Sequence, residues 1–132
     1  MRFSTFLLLT LTFAIEAQAR TVVFTDNQHY PALIPNSHAV FLDAPETVQY
    51  EVFGKLPADP HQAELAAQAV LQSPDWKHKE QKIIQAYQGV LQAYNLKLEK
   101  YPAVVFDDRY VVYGTVDVAL AKTHFDDFKR GK

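Results

Sequence analysis

The side chains best suited to chemistry are five scattered histidines and the adjacent aspartates at 107 and 108. The chain has no cysteine, which excludes a thiolate nucleophile, a disulfide and a cysteine-ligated metal within it. Asp107 and Asp108 point in different directions as neighbours in sequence, so they suit a turn better than an acid–base pair. The histidines lack metal-ligand spacing, although a zinc site built from Asp26, His29 and a third ligand stays open as an alternative. We therefore predict no catalytic residue, no metal and no cofactor.

A short basic and aromatic cluster at residues 76–82 raises the question of nucleic-acid contact. It begins with Trp76, Lys77 and His78. Acidic side chains at Asp75 and Glu80 offset its charge, and the whole chain has a formal charge of −2. A protein that binds nucleic acid through phosphates normally carries a basic excess. We predict a solvated helix face here and no direct contact with nucleic acid.

The positions of these residues depend on a predicted β-hairpin near the C-terminal end. Two runs of β-branched and aromatic residues, 103–106 and 110–113, are separated by only three polar residues, which predicts paired antiparallel strands. Pro102 precedes the first run, where its missing N–H costs no ladder hydrogen bond. Gly114 ends the second run, and a helix should follow with Val118, Ala121, Phe125 and Phe128 as its buried stripe.

The sequence of the N-terminal half predicts two parallel strands followed by a long helical segment. The runs 21–25 and 38–43 read as strands, and the link between them is long enough for a parallel crossover. A short helical turn is predicted at 30–34 and an irregular segment at 44–59. Asp59 and Pro60 then suit the start of a helix that reaches about residue 73. A second helix over 75–94 should bury a stripe that contains Tyr87 and Tyr94.

Residues 1–19 have the features of a cleaved secretory signal. Arg2 precedes an apolar run at 6–15, and Ala17-Gln18-Ala19 matches a cleavage site. The run is about half as long as a bilayer-spanning helix, and no later run is long enough to span. We expect cleavage after Ala19, a single mature domain over 20–132 with no membrane span, and a periplasmic location.

The combined order is strand, crossover, strand, helical segment, hairpin and helix. This order predicts an α/β fold with a four-stranded mixed sheet, packed helices and an elongated helical middle segment. It is the thioredoxin-like arrangement without its Cys-x-x-Cys motif.

Three segments resemble a family of small exported proteins encoded by integrating conjugative elements. They are AYQGVLQAYNL at 86–96, KYPAVVFD at 100–107 and YVVYGTVDV at 110–118. The chain also resembles, more loosely, the thioredoxin-like periplasmic components of F-type conjugation systems. The resemblance implies a non-catalytic periplasmic part of a type IV secretion-like DNA-transfer apparatus, with other apparatus proteins as partners. An exported metal-dependent or lapsed thioredoxin-like enzyme, and a soluble periplasmic chaperone or inhibitor, remain as alternatives.

The partner-binding residues are predicted to be His29, Tyr30, Tyr101 and Pro102. In a thioredoxin-like fold the loop that leaves the first strand faces the loop before the proline-led strand, and an extended peptide can pair there. The peptide bond between Tyr101 and Pro102 is expected to be cis, since that proline typically is in such folds. The alternative is that these residues only pack a turn.

Overall fold

The computed structural model describes residues 20–132, so the predicted signal at 1–19 lies outside the described residues. Within that range the chain forms four strands and four helices. In chain order they are β1 (Thr21–Thr25), β2 (Ser37–Phe41), α1 (Ala44–Phe53), α2 (Pro60–Leu71), α3 (Trp76–Asn95), β3 (Ala103–Phe106), β4 (Tyr110–Tyr113) and α4 (Val118–Lys129).

The strands of residues 20–132 form one mixed sheet in the order β2-β1-β3-β4. β1 runs parallel to β2 and antiparallel to β3, and β3 and β4 form the predicted hairpin. Every residue of the two central strands is buried, as expected for strands that are covered on both faces. The predicted α/β class with a four-stranded mixed sheet, packed helices and a helical middle segment is confirmed.

Hydrophobic cores lie on both faces of the sheet because successive side chains of β1 and β3 point in opposite directions. On one face, Val23 and Val104 pack with Val118, Ala121 and Phe125 of α4. On the other face, the core consists of Val22, Phe24, Val105 and Ala93 of α3. The sheet therefore holds α4 on one side and α3 on the other.

The expectation of an irregular segment at 44–59 was wrong, because residues 44–53 form α1. Pro45 lies in the first turn of this helix, where a backbone N–H would have no helical partner, so proline does not interrupt it. Glu46 in the same turn is favourable against the helix dipole. The helix ends at Gly54, which has a positive φ of 67° and donates its N–H to the carbonyl of Tyr50.

The predicted helix faces were partly wrong. Tyr87 and Tyr94 of α3 are exposed, as is Phe128 of α4, although each was expected in a buried stripe. α3 instead turns small residues toward the sheet, and a Cβ added to Gly89 would lie only 2.6 Å from Cγ1 of Val40. The helix and β2 approach so closely that large side chains do not fit between them.

The hairpin turn between β3 and β4 forms where the sequence predicts it. Asp107 and Asp108 have φ angles of 55° and 53°, and the N–H of Arg109 donates to the carbonyl of Phe106. These are the features of a tight hairpin turn with two left-handed central residues. At the start of α4, the side chain of Asp117 caps the helix by accepting a hydrogen bond from the N–H of Leu120.

Candidate functional site

The loop that leaves β1 is held by the carboxylate of Asp26. Its Oδ1 accepts hydrogen bonds from the backbone N–H groups of Gln28 and His29, both at 3.0 Å, and lies 2.7 Å from Nδ1 of His29. The hydroxyl of the buried Thr25 donates to the carbonyl of His29 at 2.7 Å. Local bonds of this kind fix a turn without regular secondary structure. The loop therefore presents its outer side chains from an ordered backbone.

The hydrogen bond from the side chain of His29 is the main reason that the pKa of Asp26 falls below its ordinary value of 3.8. A carboxyl whose pKa is lowered by folding stabilises the folded state above its unfolded-state pKa. That contribution is lost as the pH falls from 3.8 through the lowered folded-state pKa.

We expect the Asp26 carboxyl to titrate below pH 3.8 in the folded protein, with the amide signals of Gln28 and His29 following the same curve by NMR. Asp26→Asn is the matched control, because its amide oxygen still accepts the two backbone bonds while the charge is gone. Its loop signals should show no transition in this range. A titration of Asp26 at or above 3.8 would contradict the geometry.

The same loop is tied to the start of α1. The backbone N–H of Asn27 donates to Oδ2 of Asp43 at 3.0 Å, and its side-chain amide donates to the hydroxyl of Thr47 at 3.2 Å. The N–H of Leu42 donates to the carbonyl of Thr25 at 2.8 Å. The exit of β1 is thus braced against the segment that joins β2 to α1.

The predicted helical turn at 30–34 is extended in the structure. Ala32 forms a parallel bridge with the segment before α4, donating to the carbonyl of Val116 at 3.1 Å and accepting from Val118 at 3.2 Å. Proline at positions 31 and 35 explains the difference, because the residue before a proline is directed away from helical geometry.

The second half of the predicted site lies where β3 begins. The peptide bond between Tyr101 and Pro102 is cis, as predicted, and the Pro102 carbonyl accepts a hydrogen bond from Gly114 at 2.9 Å. Phe24 pairs with Ala103, so Pro102 lies just before β3, at the end of the sheet where the chain leaves β1 after Thr25. The loop of His29 and the Tyr101–Pro102 segment therefore lie at the same end of the sheet.

The four predicted site residues differ in their contacts. Tyr30 is 74% exposed and its ring makes a T-shaped contact with the ring of Phe41, with 6.2 Å between ring centroids. Tyr101 is 52% exposed, His29 is also exposed and Pro102 is partly buried. Among the hydrogen bonds, ion pairs and ring contacts of residues 20–132, none joins His29 or Tyr30 directly to Tyr101 or Pro102. The two pairs form separate parts of one exposed end. We call this surface, defined by His29, Tyr30, Tyr101 and Pro102, the sheet-end surface.

Sequence reasoning did not identify Asp43 and Phe41, which also support the sheet-end surface. The turn at Asp26 follows a local pattern, since an aspartate directly after a strand suits a turn that its side chain caps. The bond between Asn27 and Asp43 spans two distant parts of the sequence, and no local pattern predicts it.

The other candidate sites have ordinary structural surroundings. Trp76 packs against Phe53 of α1 with ring centroids 6.1 Å apart, and Lys79 pairs with Asp75 at 3.2 Å. Within residues 20–132, no group of three or more His, Asp or Glu side chains is arranged to hold a metal ion. None of the helices in this range combines the length and the apolar character needed to cross a bilayer.

Comparison with known proteins gives one match. Residues 18–131 match the model of a protein family described as "Protein of unknown function (DUF1525)". Neither the comparison with curated proteins nor the comparison with solved structures found a match.

Proposed function

We propose, from the premise that this chain belongs to the DUF1525 family, that it is a non-catalytic periplasmic component of a conjugative DNA-transfer apparatus. The apparatus is of the type IV secretion kind and is encoded by an integrating conjugative element. The chain acts through contacts with other proteins of that apparatus. The conjugative role rests on the resemblance of the segments at 86–96, 100–107 and 110–118, and the mode of action rests on the sheet-end surface.

The observation that carries the mode of action is the exposure of two tyrosines at one end of the sheet, one of them next to a braced loop. Tyr30 and Tyr101 present rings at one end of the sheet, and the hydrogen bonds of Asp26 and Thr25 hold the loop before Tyr30. Exposed aromatic rings are the typical anchors of protein interfaces. An ordered backbone reduces the entropy lost on binding. These features support a docking surface for a protein segment.

The strand order and directions support a thioredoxin-like assignment of the fold. A parallel β1–β2 pair is followed by an antiparallel β3–β4 hairpin in the order β2-β1-β3-β4, with Pro102 immediately before β3. The chain lacks the cysteines of a dithiol site. What this fold offers a partner is then the surface around the proline-led strand, where an extended segment can pair.

The periplasmic location rests on the signal-like features of residues 1–19. A basic residue, an apolar run too short to span a bilayer and an Ala-x-Ala site together favour export and cleavage. The mature chain would begin at Arg20, one residue before β1.

Deletion of the gene from a donor cell that carries the conjugative element should strongly reduce DNA transfer, and expression of the full chain from a separate plasmid should restore it. A matched version that lacks residues 1–19 should fail to restore transfer, because it stays in the cytoplasm. Mating frequency measures both effects. Transfer that survives deletion would contradict the conjugative role and favour an unrelated exported enzyme, chaperone or inhibitor. Full rescue by the shortened chain would contradict the periplasmic location alone.

A further inference from the structure

Helix α3 carries a second apolar stripe that faces away from the sheet. Ile84, Tyr87, Leu91 and Tyr94 are all exposed, and they alternate along the helix with the buried Ala86 and Ala93. We call these four exposed residues the α3 seam. A helix that is apolar on two faces is normally covered on both.

The stretch of α3 that carries the seam contains no charged residue, although Asp108 lines a surface cavity with Leu91 and Lys97 lines another with Tyr94. Residues 83–96 contain no Asp, Glu, Lys, Arg or His, and the polar side chains among them are glutamine and asparagine. Depletion of charge together with enrichment in tyrosine is the compositional mark of an interface core. Tyr87 is also fixed in place, since its hydroxyl accepts a hydrogen bond from Gln49 of α1 at 2.7 Å.

The spacing of the α3 seam is symmetric. Its residues follow one another at intervals of three, four and three, so reversing the helix about position 89 exchanges Ile84 with Tyr94 and Tyr87 with Leu91. Apolar positions spaced in this way form the contact seam of paired helices. A symmetric dimer needs one patch that is complementary to itself. Here each layer of an antiparallel pair would match one tyrosine with one aliphatic side chain.

We propose that the α3 seam is a homodimer interface in which α3 of one copy packs antiparallel against α3 of a second copy. The second copy is favoured as occupant because the spacing of the seam is the same when the helix is reversed, and because residues 83–96 carry no charge that would repel the same residues of a second copy. This inference is independent of the proposed role in DNA transfer, since it concerns α3 and not the sheet-end surface.

The area of the seam indicates the size class of the interface. Tyr87 and Tyr94 are 46% and 79% exposed, which corresponds to roughly 200–300 Å² per copy if an aromatic side chain buries about 150–250 Å². A standard interface buries about 800 Å² per partner. Even with Ile84, Leu91 and a rim of glutamines, the contact is smaller than this standard size. We therefore expect a weak, reversible dimer that forms between micromolar and millimolar concentrations.

Sedimentation of the exported protein, recovered from cells that express the full chain, tests this over a micromolar to millimolar series. The wild-type chain should change from monomer to dimer, and Leu91→Glu should weaken the dimer at least about tenfold. Leu65→Glu is the matched control, because Leu65 is similarly exposed but lies on α2. It should leave the dimer unchanged. Thermal unfolding of each variant confirms that it is folded.

A charge exchange tests the antiparallel pairing itself. Tyr94→Glu and Ile84→Lys should each weaken their own dimers, and a mixture of the two variants should dimerise more strongly than either alone, because opposite charges then meet in one layer. Both side chains are exposed, so the fold should tolerate the changes. A wild-type protein that stays monomeric throughout, equal effects of Leu91→Glu and Leu65→Glu, or no gain on mixing would each overturn the proposal. None of these outcomes depends on a mating assay.

Discussion

Truncation of Phe125 to alanine should remove about 3–5 kcal/mol from the free energy of unfolding. The ring of Phe125 is 8% exposed and stacks on Phe106, with centroids 4.7 Å apart and planes at 9°. It also lies 5.0 Å from the ring of Tyr110, and Nζ of Lys129 is 4.4 Å from its centroid. Alanine would leave a cavity between α4 and the sheet. Since a domain of this size has about 5–15 kcal/mol in total, the variant should be close to unfolding.

The same helix supplies the control. Phe128 lies one turn further along and is 66% exposed, so Phe128→Ala should cost less than about 1 kcal/mol. Urea unfolding of both variants, compared at equal slope, measures the difference. If the two variants were equally destabilised, the assignment of Phe125 to the core and Phe128 to the surface would be wrong.

The strands were predictable because their pattern is local. The runs at 21–25, 103–106 and 110–113 are short, rich in β-branched and aromatic residues, and bounded by turn residues or proline. The structure has strands with the same bounds. The start of α2 was equally local, since Asp59 accepts a hydrogen bond from the N–H of Gln62 and Pro60 occupies the first turn.

Helix α1 was not predicted because the effect of a proline on a helix depends on its position in that helix. Pro45 interrupts a helix when it lies in the interior but is tolerated in the first turn. Which of these applies depends on where the chain turns after β2. That turn is fixed in part by the distant bond from Asn27 to Asp43, so the sequence around Pro45 does not contain the answer.

The local sequence pattern also does not determine which face of α3 packs against the sheet. Residues 83–94 contain two apolar stripes, and their period is the same whichever one is buried. The close approach to Val40 selects the stripe that contains Gly89 and Ala93. Large residues such as Tyr94 remain outside. A rule that assigns the largest apolar residues to the core therefore chose the wrong face.

In the candidate site, too, the local features were predictable and the long-range contacts were not. The general place of His29, Tyr30, Tyr101 and Pro102 was predictable from the strand order, because the end of β1 and the start of β3 lie together. The local turn at Asp26 is typical of an aspartate directly after a strand. The bond from Asn27 to Asp43 that braces the same loop was not predicted, because it joins distant parts of the sequence.

Replacement of His29 and Tyr30 together by alanine should lower DNA transfer at least about tenfold, while export, abundance and the unfolding free energy stay close to wild type. An aromatic anchor at an interface typically contributes about 2 kcal/mol or more, and about 1.4 kcal/mol corresponds to a tenfold change in affinity. The fold should tolerate the double variant, because Tyr30 is largely exposed and Asp26 keeps its two backbone hydrogen bonds when the His29 ring is removed.

Two controls separate the contribution of the sheet-end surface from that of the rest of the protein surface. Tyr50→Ala removes a similarly exposed tyrosine from α1, so it reports the effect of losing any surface ring and should leave transfer unchanged. Lys77→Ala with Lys79→Ala removes two positive charges from the start of α3 and should also have little effect. If the double substitution of the lysines abolishes transfer while that of His29 and Tyr30 has no effect, the docking surface is wrongly assigned. The basic cluster would then contact nucleic acid. If Tyr50→Ala is as harmful as the double variant, the tyrosine at position 30 is not a specific anchor.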